Sequence, residues 1–257
     1  MTRIDQLRVL VTGGAAGIGR AIAERLTEAG GRVHVCDVSP AALRDLAETA
    51  PDISGTIADV GSEHDVDCLF DDVNARLGGL DVLVNNAGIA GPTGPLEEIT
   101  LADWQRTLDV NLTGQFLCAR RAVPLLKQAG GGSIINISSI AGRLGFPNRT
   151  PYSASKWGTI GLTETWAMEL GPAGIRVNAI LPGVVEGERQ DRVLQSRADL
   201  EGITFEAAKR QRLQAVSLRS MVSAADIAEM VLFLCSPAGR MISGQSLSVC
   251  GNVETLR

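Results

Sequence analysis

The chain has 257 residues, a hydrophobic content of 45% and a formal net charge of -5 at pH 7. This length allows one sizeable core and is short for two, so we expect a single domain over residues 1–257. The acidic balance leaves no broad basic field, which argues against nucleic acid or an anionic membrane as a partner.

Seven short apolar runs, rich in β-branched residues, predict seven strands. The predicted strands cover residues 8–12, 32–36, 53–58, 81–85, 133–137, 175–180 and 246–249. Stretches with helical spacing separate them, such as Ile22, Leu26 and Ala29 after the first run. This alternation is typical of a parallel sheet covered by helices on both faces. We therefore expect an α/β, doubly wound (Rossmann) seven-stranded sheet with right-handed crossovers.

The alternation breaks once, at a charged segment at about residues 184–220. Charged side chains crowd this segment, among them Glu186, Arg197 and Arg212. Long connections inside compact domains often cover a site, so the segment is a candidate flap. A solvated pair of charged helices is an equal alternative.

The cysteines and the first residues of the chain bear on its location. Five cysteines are scattered, and no two have the C-x-x-C spacing of a metal site. We therefore expect no metal and a reducing compartment, which favours the cytoplasm. Residues 1–7 leave no room for a signal peptide, and no run approaches the roughly 18 apolar residues of a membrane span. The sequence thus predicts a soluble cytoplasmic protein that does not enter a membrane.

A glycine-rich turn follows the first predicted strand and precedes a helix that opens at Arg20. From Thr12 to Gly19 it reads Thr-Gly-Gly-Ala-Ala-Gly-Ile-Gly. Glycines permit a tight turn and let backbone N–H groups approach a pyrophosphate at the helix N-terminus. A flexible turn is the alternative, but the flanking strand and helix favour a dinucleotide site. The residues expected to line it are Gly13, Ala16, Gly17, Ile18 and Gly19.

Asp37 follows the second predicted strand, eighteen positions beyond Gly19. A carboxylate at this place accepts hydrogen bonds from the ribose hydroxyls of adenosine and repels a 2′-phosphate. The sequence therefore predicts NAD as the cofactor, in preference to NADP. Asp37 could instead cap the following helix, although Ser39 is also suited to that role.

Further motifs follow in order along the chain. They are Asn85-Asn86-Ala87-Gly88, Ser139, the pair Tyr152-x-x-x-Lys156 and Pro182-Gly183. Together with the glycine-rich turn, this set resembles the short-chain dehydrogenase/reductase family over nearly the whole chain. The resemblance implies an NAD-dependent oxidoreductase that oxidises a secondary alcohol or reduces the corresponding ketone.

Tyr152 and Lys156 are four residues apart, so they share one face of a helix. A free phenol has a pKa of about 10, and an ammonium within about 4 to 6 Å lowers this pKa by about one to three units. Tyr152 can then take the alcohol proton as hydride leaves the carbon, and return a proton in reduction. Alone, such a pair would indicate a half-buried tyrosine beside a surface lysine, but the other motifs favour catalysis.

Ser139 is expected at the end of the fifth strand, where side chains of a parallel sheet meet a ligand. Its hydroxyl can hydrogen-bond the substrate oxygen and stabilise charge in the transition state. Ser138 precedes it and would face the opposite side of the strand. By resemblance, Asn111 holds a water relay near Lys156. Otherwise Asn111 is a polar interruption of an apolar helix face.

The resemblance also implies the remaining cofactor-binding positions. It places Asp59 and Val60 at the adenine, residues 86–88 near the adenosine and Val185 at the nicotinamide amide. The complete set beyond the glycine-rich turn and Asp37 is Asp59, Val60, Asn86, Ala87, Gly88, Tyr152, Lys156, Pro182, Gly183 and Val185.

Arg149 lies three residues before Tyr152 and can bind a carboxylate through a bidentate pair. The loop partly resembles that of 3-hydroxybutyrate dehydrogenases, in which a basic residue at this offset helps to hold the substrate's carboxylate. We therefore expect Ser139, Arg149 and Tyr152 to bind a small-molecule substrate such as a sugar acid, keto-deoxy sugar acid or hydroxy acid. Equally, Arg149 could be solvated or bind an acidic residue of another subunit.

Two other functions stay open from the sequence. One is a 3-oxoacyl-carrier-protein reductase, which uses NADPH on an acyl thioester, and Asp37 argues against it. The other is a non-catalytic dinucleotide-binding protein, which the complete set of Ser139, Tyr152 and Lys156 disfavours. The family resemblance also implies a homotetramer formed through the helices near residues 101–128 and 151–171.

Overall fold

Seven parallel strands form one sheet in the computed structural model, which describes residues 4–253 and 255–256. The strands are β1 (Arg8–Thr12), β2 (Arg32–Asp37), β3 (Ser54–Ile57), β4 (Val82–Asn85), β5 (Gly132–Ile137), β6 (Ile175–Pro182) and β7 (Ser246–Val249). Their order in the sheet is β3-β2-β1-β4-β5-β6-β7, with every neighbouring pair parallel. This order confirms the predicted doubly wound sheet, because the chain winds outward from β1 and then returns beside β1 to form β4.

Helices cover both faces of the sheet. They are α1 (Gly17–Glu28), α2 (Pro40–Thr49), α3 (Glu63–Leu77), α4 (Leu101–Leu108), α5 (Gly114–Gln128), α6 (Thr150–Leu170), α7 (Glu188–Glu201), α8 (Phe205–Gln214) and α9 (Ala224–Cys235). Successive side chains of a strand point to opposite faces, so Val9 and Val11 of β1 enter one core and Leu10 enters the other. Residues of α1 and α9 complete the first core, and residues of α3 and α5 complete the second. In the described part of the chain, no helix combines the length and apolar character needed to cross a membrane.

The fifth strand ends at the predicted residue, so Ser139 lies two residues beyond the strand rather than at its end. β5 stops at Ile137, and Ser139 instead begins a short 3-10 helix, Ile140–Gly142. The Ser139 hydroxyl accepts a hydrogen bond from the amide two residues later at 3.1 Å, which caps this short helix. Ser138 still pairs with β6, since its amide donates to the carbonyl of Ile180 at 2.8 Å. The cap turns the chain away from the sheet directly above the edge where the other strands end.

The charged segment at about residues 184–220 folds mainly into the helices α7 and α8. The expected alternative of a charged helix pair therefore describes its secondary structure. The pair is not wholly solvated, however, because Leu194, Ala198, Ala208 and Arg212 are buried. The segment thus has an inner side that packs on the rest of the protein.

His34 lies in β2 and is fully buried. Its ring nitrogens contact the hydroxyls of Ser54 at 2.7 Å and Thr56 at 3.0 Å, both on β3. Thr56 in turn donates to a carboxylate oxygen of Asp72 at 2.7 Å. Burial first, and then the positive charge of Arg76, lowers the pKa of His34 from 6.5 to about 4.

The lowered pKa of His34 should make the stability of the fold depend on pH. Between pH 6.5 and about 4, the unfolded chain binds a proton at this histidine that the folded chain does not bind. The free energy of unfolding should therefore fall as the pH decreases through this window, by up to about 3 kcal/mol. Urea unfolding from pH 7 down to about pH 4 should show this fall in the wild type and a smaller fall in His34→Gln.

The exposed His64 provides the control for this measurement. The variant His64→Gln is the matched control, because it makes the same substitution at an exposed position and leaves the buried His34 in place. Equal slopes in the wild type and in His34→Gln would contradict the assignment to the buried histidine.

Candidate active site

The glycine-rich turn after β1 presents a concave backbone surface. Gly13 and Gly17 adopt positive φ values of 60° and 53°, which favour glycine. A Cβ at Gly19 would collide with the carbonyl oxygen of Gly13, whereas a Cβ at Gly17 would have no neighbour within 4 Å. The turn is therefore closed toward the sheet and open in front of α1, where the N–H groups of the helix N-terminus attract an anion.

Thr12 and Asn86 join this turn to the loop after β4. The hydroxyl oxygen of Thr12 accepts hydrogen bonds from the amides of Asn86 and Ala87, each at 3.0 Å. The side-chain amide of Asn86 donates to the carbonyl oxygens of Thr12 and Gly13 at 3.0 and 2.9 Å. Because β1 and β4 are neighbours in the middle of the sheet, these bonds fix the floor of the site. Thr12 belongs to the sequence motif, but no role was predicted for its side chain.

Asp37 ends β2 and faces the same turn. One of its carboxylate oxygens accepts a hydrogen bond from the Ser39 amide at 3.0 Å, and the other lies 3.3 Å from the Ala15 amide. Ser39 caps α2, because its hydroxyl accepts from the amide of Ala42 at 3.2 Å. The capping role thus belongs to Ser39, which leaves the Asp37 carboxylate beside the cavity.

Asp59 and Val60 lie beside Asp37. The amide of Ala58 donates to the Asp37 carbonyl at 3.1 Å, which extends the pairing of β2 and β3 by one residue. The Asp59 carboxylate accepts a hydrogen bond from Arg106 of α4 at 2.7 Å and one from the Gly61 amide at 2.9 Å. These contacts hold the predicted adenine positions at the rim of the site.

Lys156 is buried and held beside Tyr152 on α6. Its ammonium donates a hydrogen bond to the carbonyl oxygen of Ile137, the last residue of β5, at 2.9 Å. The ammonium nitrogen lies 5.7 Å from the centroid of the Tyr152 ring. The predicted pair therefore shares one side of α6, and the lysine ties that helix to the end of the central strand.

The two adjacent serines after β5 have different environments. The hydroxyl of Ser138 donates to the carbonyl oxygen of Lys156 at 2.8 Å, so it holds the backbone of α6. Both serines line the cavity that contains Tyr152 and Lys156, but the Ser139 hydroxyl instead caps the short helix that follows. This arrangement follows from the opposite directions of neighbouring side chains in extended backbone.

Asn111 lies in a π-helical turn, Asp109–Thr113, between α4 and α5. Its side-chain oxygen accepts from the amide of Ile89 at 2.7 Å, and its side-chain nitrogen donates to the carbonyl of Ile89 at 3.0 Å and to the hydroxyl of Ser155 at 3.2 Å. A Cβ added to Gly88 would lie 3.2 Å from this oxygen, so Asn111 stands behind Gly88. It supports the wall of the cavity rather than lining it.

One cavity of about 760 Å³ brings the predicted residues together. It runs along the carboxyl edge of the sheet, from the glycine-rich turn to the start of α6. Apart from Asn111, every site residue that the sequence predicted lines it. These are Gly13, Ala16, Gly17, Ile18, Gly19, Asp37, Asp59, Val60, Asn86, Ala87, Gly88, Ser139, Arg149, Tyr152, Lys156, Pro182, Gly183 and Val185.

Arg149 immediately precedes α6 and is only 3% exposed. Its guanidinium donates to the carbonyl of Ala90 at 2.7 Å. The guanidinium carbon lies 5.2 Å from the centroid of the Phe146 ring and 5.0 Å from that of Tyr152. The alternative of a solvated Arg149 is therefore wrong, and the cation stands directly beside the phenol.

Arg212 and Leu256 also line the cavity, although neither was predicted as a site residue and the family resemblance implied that Leu256 reaches toward a neighbouring subunit. Arg212 belongs to α8 and is 6% exposed. A signal for it existed, because Ala208 and Arg212 are four residues apart and share the buried face of this charged helix. An arginine on the buried face of a helix indicates a candidate site residue.

The cavity fits a nicotinamide dinucleotide. Its first end offers the open backbone at Gly17 and the N-terminus of α1, which suit a pyrophosphate. Its other end offers the hydroxyls of Ser139 and Tyr152 and the ammonium of Lys156. Among residues 4–253 and 255–256, no cluster of His, Cys, Asp and Glu side chains is arranged to hold a metal ion.

The chain is similar to known oxidoreductases over nearly its whole length. The protein-family model described as Enoyl-(Acyl carrier protein) reductase matches residues 13–252. Cis-4-hydroxycyclohexanecarboxylate dehydrogenase of Sinomonas cyclohexanicum is 38% identical, over 94% of this chain and 94% of its own.

Two solved structures have the same fold. A variant of actinorhodin polyketide ketoreductase with NADPH superposes with a TM-score of 0.92, at 35% identity and 99% coverage of both chains. NAD⁺-bound xylitol dehydrogenase superposes with a TM-score of 0.92, at 31% identity, over 96% of this chain and 99% of its own. Structures with this fold and appreciable sequence identity thus hold nicotinamide dinucleotides of both kinds.

Proposed function

Because the chain belongs to the short-chain dehydrogenase/reductase family, whose members act on secondary alcohols and ketones, we propose that it oxidises a carboxylated alcohol with NAD. Family membership supports a reaction at a CH–OH group. The proposal adds NAD as the cofactor and a sugar acid, keto-deoxy sugar acid or hydroxy acid as the substrate. The observation that carries it is the buried Arg149, whose guanidinium carbon lies 5.0 Å from the Tyr152 ring centroid.

Different residues around the cavity would bind different parts of the cofactor. The backbone of residues 13–19 would bind the pyrophosphate, and Asp37 would accept hydrogen bonds from the adenosine ribose. Lys156 and Val185 would contact the nicotinamide end. When bound, the nicotinamide ring supplies the acceptor for the hydride.

Tyr152 would hold and move the proton. The cations of Lys156 and Arg149, which lie 5.7 and 5.0 Å from its ring centroid, favour the phenolate over the phenol. The phenolate then accepts the proton of the substrate hydroxyl, while the Ser139 hydroxyl donates a hydrogen bond to the same oxygen. Asn111 would orient the start of α6, because it bonds Ser155.

Asp37 supports NAD in preference to NADP. Its carboxylate lines the cavity and is held by the amides of Ala15 and Ser39. A negative charge fixed at this place would repel the 2′-phosphate of NADP. Since the two solved relatives hold different dinucleotides, the choice rests on this residue.

Arg149 supports a carboxylated substrate. A guanidinium that is withdrawn from water beside the proton-transferring phenol attracts a carboxylate more strongly than a solvated one. The substrate named for the Sinomonas relative carries both a hydroxyl and a carboxylate. The same two groups on one molecule would reach Tyr152 and Arg149 together.

Reduction of an acyl thioester with NADPH is the second candidate. The family description and the polyketide ketoreductase favour it. A thioester offers no free carboxylate to Arg149, and Asp37 opposes the 2′-phosphate, so both residues favour the first proposal.

A homotetramer in the cytoplasm completes the proposal. Apolar side chains are exposed on the helices expected at its interfaces, with Phe116 45%, Trp157 52% and Met168 74% exposed. All five cysteines are free thiols, in keeping with a reducing compartment.

The variant Tyr152→Phe should lose turnover while it keeps the cofactor. The phenyl ring preserves the packing but cannot exchange a proton, so kcat should fall by about 100-fold or more. NADH formation from a hydroxy acid measures the loss, and a fluorescence titration should show that the variant still binds NADH. Full turnover in a folded Tyr152→Phe protein would refute the proposed proton transfer.

The variant Asp37→Ser should relax the cofactor preference. Removing the fixed carboxylate removes the repulsion of the 2′-phosphate, so the NAD-to-NADP ratio of kcat/KM should fall by about tenfold or more. Asp52→Ser is the matched control, because it removes the same charge from an exposed position outside the cavity. A ratio that stays constant in Asp37→Ser would remove the basis for preferring NAD.

The variant Arg149→Met should raise KM for carboxylated alcohols only. A charge-assisted bidentate pair is lost, so KM should rise by about 10-fold to 100-fold, while kcat/KM for the corresponding carboxamides should not change. Arg143→Met, an exposed arginine of the same loop, should leave both values unaltered. Equal effects of Arg149→Met on acids and amides would argue against a carboxylated substrate.

A further inference from the structure

Arg212 of α8 is a buried cation that no aspartate or glutamate among the described residues is shown to pair with. The residue is 6% exposed, and its Nη1 has no hydrogen-bond partner within residues 4–253 and 255–256. Arg197 and Arg149 disfavour its charge and Tyr152 favours it, while no aspartate or glutamate of the described chain contributes. Burying a guanidinium without an anion is unfavourable, so such a group is usually retained for a ligand.

The surroundings of Arg212 are themselves positive. The guanidinium carbons of Arg212 and Arg149 lie 5.3 and 5.2 Å from the centroid of the same Phe146 ring. Burial first, and then repulsion by Arg197 and Arg149, lowers the pKa of Arg212 to about 10. The group is still charged at neutral pH, and an anion among these arginines would relieve their repulsion.

A side pocket of about 70 Å³ connects these groups to the main cavity. Phe146, Arg149 and Arg212 line both the side pocket and the cavity that contains Tyr152. Leu194 and other apolar residues of α7 and of the C-terminal segment form much of the remaining wall. Arg197 and Glu201 also line the side pocket, and the Glu201 carboxylate is already engaged because it accepts a hydrogen bond from Arg197 at 2.8 Å. Charge interactions are stronger where apolar walls exclude water, so the side pocket is suited to one small anionic group.

We propose that Arg212 is a specificity-determining residue that binds the substrate carboxylate together with Arg149. This inference rests on the carboxylated substrate of the proposed function and adds a second cation from a different element. Arg149 reaches the side pocket from the start of α6, and Arg212 reaches it from α8. The carboxylate would therefore lie between the two guanidiniums while the alcohol carbon faces Tyr152.

The test compares Arg212→Met with Arg210→Met, which removes the same charge from an exposed position of the same helix. Each NADH complex is titrated with cyclohexanecarboxylate, which lacks the reacting alcohol, and with cyclohexanecarboxamide. Arg212→Met should raise the Kd of the carboxylate by about 10-fold to 100-fold, because a charge-assisted pair is lost. The Kd of the carboxamide and that of NADH should stay constant, and Arg210→Met should change none of the three.

Two further measurements separate ligand binding from a structural role. Arg212→Lys keeps the charge and should recover part of the affinity for the carboxylate. The melting temperature of ligand-free Arg212→Met should not fall, because the substitution removes an unbalanced buried charge. Equal losses of carboxylate and carboxamide affinity, or a lowered melting temperature, would show that Arg212 is structural and would overturn the inference.

The outcomes also distinguish this inference from the proposed function. A wild-type protein without preference for the carboxylate would overturn the carboxylated substrate itself, and the role of Arg212 with it. If Arg149→Met loses the preference and Arg212→Met retains it, the proposed function stands and only the role of Arg212 is refuted.

Discussion

The hydrogen bonds between Thr12 and the loop after β4 hold the site together at the point where the winding of the sheet reverses. The chain passes from β1 outward to β3 and then winds the other way from β4, so the loops after β1 and β4 diverge and leave a crevice. The Thr12 hydroxyl oxygen accepts hydrogen bonds from two backbone amides of the loop after β4, each at 3.0 Å. The glycine-rich turn on one side and α6 on the other are both placed relative to this fixed floor.

The end of the cavity that contains Tyr152 is positively charged, although the whole chain carries a negative net charge. The formal net charge is -5, yet Arg149, Lys156 and Arg212 are all buried at one end of the cavity. Lys156 is anchored by a backbone carbonyl and not by a carboxylate, so its charge stays available to the phenol of Tyr152. The charge at this end of the cavity therefore depends on which charged side chains are buried there. The net charge of the whole chain does not indicate it.

Local patterns in the sequence were sufficient for the sheet and for most residues that line the cavity. Buried parallel strands require continuous apolar runs, and the turn at Gly13 and Gly17 requires residues that tolerate positive φ. The Ser139 cap was not predictable, because it depends on a hydrogen bond from the Ala141 amide that no apolar pattern indicates. Arg212 was missed because the charges on both sides of it make α8 resemble a solvated helix, although its spacing from Ala208 places the two residues on one face.

Because of the π-helical turn at Asp109–Thr113, the number of residues between α4 and α5 cannot change without moving residues of the site. It joins α4 to α5 without a break and contains one residue more than an α-helical turn would. Removing that residue would rotate α4 by about 100° relative to α5. Arg106 would then turn away from Asp59, and the bonds of Asn111 to Ile89 would be lost. Side chains along the continuous helix from α4 to α5 can be substituted one at a time. An insertion or deletion in the π-helical turn, however, would break the contact with Asp59 and the contacts with Ile89 together.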